Sequence, residues 1–249
     1  MDQASAALVE RRYFACEALA SDALRKAITA MDFDRVARIV LPLQEARRQI
    51  RDLAADTGEI CVVDGELPSG DALKAGMYMI APPRVGVDGR MLREAANRRE
   101  VPVIVLVREP LTRAGLWPVV AVGPVTVRVR LKPPADAAKL VAGGTGTRKS
   151  GAKKGAKEGY GETTGLTREW VLAACEALGD AAIESIPDGL TAAGRVLALA
   201  ERLEAVPDHE KLHQRLEEAA REAARTPVKR GQITAKAAAA AALLEEEDD

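Results

Sequence analysis

Between residues 4 and 55, apolar positions recur at three- and four-residue intervals with polar residues between them. In "YFACEALASDALRKAI", Tyr13, Cys16, Ala20, Ala23, Leu24 and Ala27 share one stripe, the pattern of a helix with a single buried face. "MDFD" interrupts the stripe and sets Asp32 or Asp34 to cap a second helix. That helix, "FDRVARIVLPLQEARRQIRDLA", carries Phe33, Val36, Val40, Leu43, Ile50 and Leu53 on its apolar face. Pro42 stands inside it and predicts a kink or a break, because proline has no N–H to give to the helix. The short connection predicts antiparallel packing of the pair.

After Gly58 the period changes. "EICVVDG" and "MYMIAPP" are short apolar runs with strand character. "DGRMLREAANRRE" reads as a helix with Met91, Leu92, Ala95 and Ala96 inward. "VPVIVLVREP" is apolar throughout 101–107, as a strand covered on both faces is. Residues 77–107 therefore predict a β-α-β unit. "LWPVVAVG" and "VTVRVRLKPP" predict a closing pair of strands. In the second, Arg128, Arg130 and Lys132 alternate with Val127, Val129 and Leu131, the pattern of a half-exposed edge strand guarded by cations.

The Gly-, Ser-, Thr- and Lys-rich stretch 139–165 reads as a flexible basic linker. Beyond it, "LTREWVLAACEALGDAAIESI", "LTAAGRVLALAERLEAV" and "DHEKLHQRLEEAAREAAR" predict three helices, with Thr167 and Thr191 as caps. Residues 227–249 form a low-complexity tail. The expected organisation is a helical hairpin over 1–57, a small α/β domain over 58–138, the linker, a helical module over 166–226 and the tail. The fold class is α+β: helical hairpins flanking a small mixed, partly parallel sheet.

Composition narrows the function. Hydrophobic residues make up 47% but aromatics only 3%, so the core is built from Ala, Leu and Val, a mix suited to close-packed helices. A net charge of -1 gives no global attraction for nucleic acid, although the lysines of the linker offer a local, non-specific one. Cys16, Cys61 and Cys175 lie far apart with no C-x-x-C pair, which argues for reduced thiols and against a cysteine metal site. With no apolar run near 18 residues and no basic-then-apolar leader, the expectation is a cytoplasmic protein without a membrane span.

Three candidate sites stand out. The first is "DHEKLHQ", in which the protein's two histidines form H-E-x-x-H, the arrangement that lets His209 and His213 share a zinc ion with Glu210 as base. Charged Lys211 between them, Pro207 just ahead and no third histidine downstream argue against a zinc hydrolase, which stays a remote alternative. The second is the carboxyl end of the strands, where open parallel sheets bind ligands. It would bring Arg84, Arg108 and Glu109 together, with Asp64 and Asp88, as a lining for a small anionic ligand, which makes a small-molecule-binding or catalytic α/β domain the alternative function. The third, "GGTGTRKSG", follows no strand and opens no helix, so it reads as linker. No cofactor motif is present.

The stretch "ALAERLEAVPDHEKLHQRLEEAAREA" resembles the junction between two tetratricopeptide repeats. Leu203 and Pro207 match the helix-end leucine and the proline, and His213, Leu216 and Ala220 fall where the next helix packs on its neighbour. "RRYFACEALASDAL" is similar, with Tyr13, Cys16, Ala20, Ala23 and Leu24 at matching offsets. Glu217 departs from the pattern by standing where a small residue is usual. The resemblance implies a non-catalytic interaction or scaffold protein that binds a protein or peptide through a helical groove. It assigns no individual contact residue.

Overall fold

A computed structural model describes residues 2–134 and 165–226; the linker and tail expectations lie outside the described residues. The chain begins with three helices, α1 (Asp2–Val9), α2 (Tyr13–Thr29) and α3 (Phe33–Asp56). The break between α1 and α2 falls at Arg11, whose φ of 59° cannot continue a right-handed helix. Asp32 is the N-cap of α3, and its carboxylate accepts from the backbone N–H of Arg35 at 3.0 Å.

Pro42 does not break α3, which runs unbroken for 24 residues. The stripe it interrupts stays buried on either side, at Val40 and Leu43, so tertiary packing outweighs the lost backbone hydrogen bond. Leu53, placed inward by the spacing, is about half exposed instead.

A five-stranded sheet follows: β1 (Ile60–Val63), β2 (Gly76–Ile80), β3 (Val103–Arg108), β4 (Trp117–Val122) and β5 (Thr126–Leu131), side by side in sequence order. β1, β2 and β3 are parallel, while β4 and β5 close the sheet antiparallel. The α+β class and the mixed, partly parallel sheet are thus present. The seam between the two halves is short: β3 and β4 pair only at Val107↔Val120 and Arg108↔Val119.

Helix α4 (Gly86–Arg98) links β2 to β3 and covers one face of the sheet, where Leu92 and Ala96 pack with Tyr78, Ile80, Val103 and Val107. Met91 points outward, more than half exposed, because Gly89 takes the inward position against Val105 and Val107. The other face, through Met77, Met79, Ile104, Leu106 and Trp117, belongs to one hydrophobic cluster with α1, α2 and α3. The same cluster contains α5 (Arg168–Glu184), α6 (Ala192–Ala205) and α7 (Glu210–Arg225).

The C-terminal helices therefore pack on the rest of the chain, with α7 lying along both α3 and α6. Thr167 and Thr191 cap α5 and α6, accepting from Trp170 N–H and Gly194 N–H. No described helix is long and apolar enough to cross a membrane.

Candidate functional groove

The sequence places a candidate ligand site at the strand ends. Arg84 donates from Nε to the carbonyl of Gly65 at 2.7 Å and pairs with Asp88 at 3.2 Å, tying down the start of α4. Glu109 is held by Arg128 through two bonds of 2.6 and 2.8 Å. The Arg108 guanidinium lies 4.9 Å from the centre of the Trp117 ring, and burial holds its pKa below the usual value despite the charge of Asp64. Arg84 and Glu109 thus spend their charge on neighbouring side chains, and Arg108 alone keeps no carboxylate at ion-pair distance among the described residues.

The histidine pair sits at the corner between α6 and α7. His209, expected in the first turn of a helix, is the N-cap of α7, which starts one residue later. Both rings are buried, at 2% and 1% exposure. His213 Nδ1 is 2.9 Å from the carbonyl oxygen of His209, and its Nε2 is 3.4 Å from Arg47 Nη1. A carbonyl only accepts and a guanidinium only donates, so His213 carries its proton on Nδ1 and is neutral. Burial, then the nearby Arg47 charge, push its pKa down to about 3. A cation already faces the free lone pair of His213, which leaves that nitrogen no room to ligate a metal. Among the described residues no group of three His, Cys, Asp or Glu side chains is placed to hold a metal ion.

His209 is different. Its Nε2 lies 3.3 Å from Glu176 Oε2 and 3.6 Å from Asp180 Oδ1, yet neither ring nitrogen makes a hydrogen bond among the described residues. The imidazole rests on Gly179 of α5, so closely that a Cβ there would fall inside the ring. Burial outweighs the two carboxylates and lowers the pKa of His209.

Around this corner the helices exchange charges over long stretches of sequence. Arg93 of α4 grips Asp208 with two bonds of 2.6 and 3.0 Å. Arg47 of α3 reaches Glu17 of α2 at 3.0 Å. Arg51 bonds the Asp208 carbonyl at 3.3 Å and pairs with Glu176 at 3.2 Å and Glu210 at 3.3 Å. Cys175 sits among these groups, and desolvation raises its thiol pKa to about 12, so it stays protonated and unreactive.

Arg47, Arg93, Cys175, Glu176, Asp208 and His209 of this corner line a cavity of about 1370 Å³. Three helices wall it. α2 contributes Phe14, Ala18, Ser21, Arg25 and Ile28, and α4 contributes Gly86, Arg90 and Asn97, each from one face at three- and four-residue spacing. α6 lies along the cavity more fully, with Ala193 and Leu197 in its first half and all of 200–205 in its second. The cavity also meets β3 and β4 beyond their two-residue seam, at Val105 and Val122.

None of the lining arginines or carboxylates was legible as a site in the sequence. Arg93 and Asp208 are separated by 115 positions, and no local spacing announces their contact. One signal was available: Gly86 and Gly89, three apart near the start of α4, mark a helix pressed closely on strands. Set against protein-family models, curated proteins and solved structures, the chain matches none of them.

Proposed function

We propose that this chain is a non-catalytic binding protein that takes a helical peptide segment of a partner protein into the groove between α2, α4 and α6. One observation carries the reading: α2 and α4 turn i, i+3, i+4, i+7 stripes toward one shared space, and α6 lies along it. That is how grooves for amphipathic helices are built. The volume, about 1370 Å³, exceeds the roughly 300–1,000 Å³ of small-molecule pockets. It is enough for about three turns of a helix roughly 10 Å across. The walls mix apolar Phe14, Ile28 and Leu197 with charged residues at the rim, as an interface that must stay soluble when empty does. The helical hairpins and their resemblance to tetratricopeptide repeats agree with such a role. The three cysteines form no disulfide and suit a reducing compartment, so we place the protein in the cytoplasm.

The test uses an uncharged probe: a fluorescent helical peptide with a leucine stripe and a glutamine and alanine polar face. Its anisotropy with the full chain should saturate. Leu197, already 37% exposed, accepts a substitution without loss of core. Leu197→Arg and Ile28→Arg should each weaken binding at least about tenfold. An affinity indifferent to both changes would sink the groove.

A further inference from the structure

At the carboxyl ends of the parallel strands, Arg84 is joined to Asp88 and Glu109 to Arg128. Asp64 and Arg108 are not joined to anything in this way. Neither makes an ion pair or a side-chain hydrogen bond among the described residues.

The sheet register puts these two in one row. Val63, Ile80 and Val107 are partners across β1, β2 and β3. The ladder continues one residue further, where the Ala81 N–H donates to the Val63 carbonyl at 2.8 Å. The next row is therefore Asp64, Ala81 and Arg108. Residues in one row point to the same face, which here is the face of Met77, Met79, Ile104 and Leu106. Asp64 and Arg108 thus stand two strand spacings apart, roughly 9–10 Å between Cα atoms. Between them lies only the small side chain of Ala81, buried in the sheet.

Arg108 does not close this gap. Its guanidinium lies 4.9 Å from the ring centre of Trp117, on β4, which flanks β3 on the side away from β1. Burial there lowers its pKa, while the carboxylate of Asp64 acts on it without a bond. Withdrawing a charge from water without a bonded counter-ion is costly, so the arrangement favours a group that joins the two. The pair is neutral as a whole, which favours a ligand carrying both charges over a plain anion or a plain cation. Open parallel sheets take their ligands at this end of the strands.

We infer that the row binds a small zwitterion, an α-amino acid, with its carboxylate on the Arg108 guanidinium and its ammonium on the Asp64 carboxylate. The two charged groups of an α-amino acid sit roughly 3 Å apart. With a charge-assisted hydrogen bond of about 2.8 Å at each end, the ligand spans roughly 8–9 Å, close to two strand spacings. The site is separate from the groove, since none of the three residues of the row lines that cavity.

The experiment titrates the full chain with glycine and follows the emission of its two tryptophans. Trp117 lies beneath Arg108, and the Trp170 ring centre is 5.7 Å from that of Trp117. Glycine should give a saturable change at millimolar concentration. Acetate and methylamine each carry one of the two charges and should bind at least about tenfold more weakly. Asp64 is exposed, so Asp64→Asn should keep the melting temperature of the parent, weaken glycine about tenfold and leave acetate no weaker. Arg108→Gln should weaken glycine likewise and spare methylamine.

Acetate binding as tightly as glycine would make the row a simple anion site and overturns the inference. Methylamine binding as tightly as glycine overturns it too, as does a glycine affinity indifferent to Asp64→Asn. So does the lack of any saturable change with glycine. Each of these results leaves the groove reading to its own peptide test.

Discussion

His213 shows how a single residue can be fixed by what surrounds it. Its ring is locked between the His209 carbonyl, which needs a proton on Nδ1, and Arg47, which needs none on Nε2. The consequence is a pH dependence of stability with a definite sign. The folded-state pKa is about 3 and the ordinary one 6.5, so below pH 6.5 the unfolded chain takes up a proton that the folded chain refuses. Stability from this residue is fully present above pH 6.5 and is lost as pH falls toward 3. At pH 5 the loss is about 2 kcal/mol, which lowers the melting temperature by about 4–8 °C relative to pH 7. His209 pulls in the same direction. His213→Gln should remove most of the slope in a melt series from pH 7 to 5; an unchanged slope would refute the tautomer assignment. A second residue-scale outcome concerns Asp208. Asp208→Asn leaves the buried Arg93 without its carboxylate and should cost about 3 kcal/mol in a denaturant titration.

Among the elements, α5 and the α6–α7 corner meet at a contact that admits no extra atom. Gly179 is mid-helix, where alanine would ordinarily gain about 1 kcal/mol in helix propensity. Here a Cβ enters the His209 ring, so Gly179→Ala should instead destabilise by about 1–3 kcal/mol. Combining it with His209→Ala should recover much of that loss, and the coupling is read from a double-mutant cycle. A similar approach occurs at the turn after β4, where a Cβ on Gly123 would come within 2.8 Å of the Ala205 backbone. These contacts account for what the periodicity of α3 and α4 left out. Spacing found both helices and most of their buried positions, but it set Met91 and Leu53 inward and had Pro42 interrupt α3. It could not do otherwise, because each helix has a second neighbour whose position is decided elsewhere in the chain. For the same reason Arg93 reads as a surface residue in sequence and is a largely buried partner of Asp208 in the fold.

For the whole molecule, the governing fact is that one cluster joins the N-terminal helices, one face of the sheet and all three C-terminal helices. Leu199, Leu203, Leu212 and Leu216 are buried in it at 2% exposure or less. A chain cut to residues 1–134 loses that cover from α3 and from the sheet. It should melt without a cooperative transition and bind a hydrophobic dye that the full chain ignores. A sharp melt like that of the full chain would show two separate cores in place of one continuous core. The sequence by itself did not separate α1 from α2, but it determined the type and order of the elements from α2 onward, a cap at Asp32 or Asp34, the caps at Thr167 and Thr191, and the mixed sheet. All of these follow from hydrophobic period and local hydrogen bonding, which act over a few residues. Only the tertiary structure decided that H-E-x-x-H is a neutral, buried corner, that Arg84 and Glu109 are locally paired, and that α2, α4 and α6 enclose a groove. Those outcomes depend on charges and surfaces brought together from separate elements, from 19 positions apart for Arg128 and Glu109 to 166 for Arg47 and His213, where contact is set by packing and not by spacing.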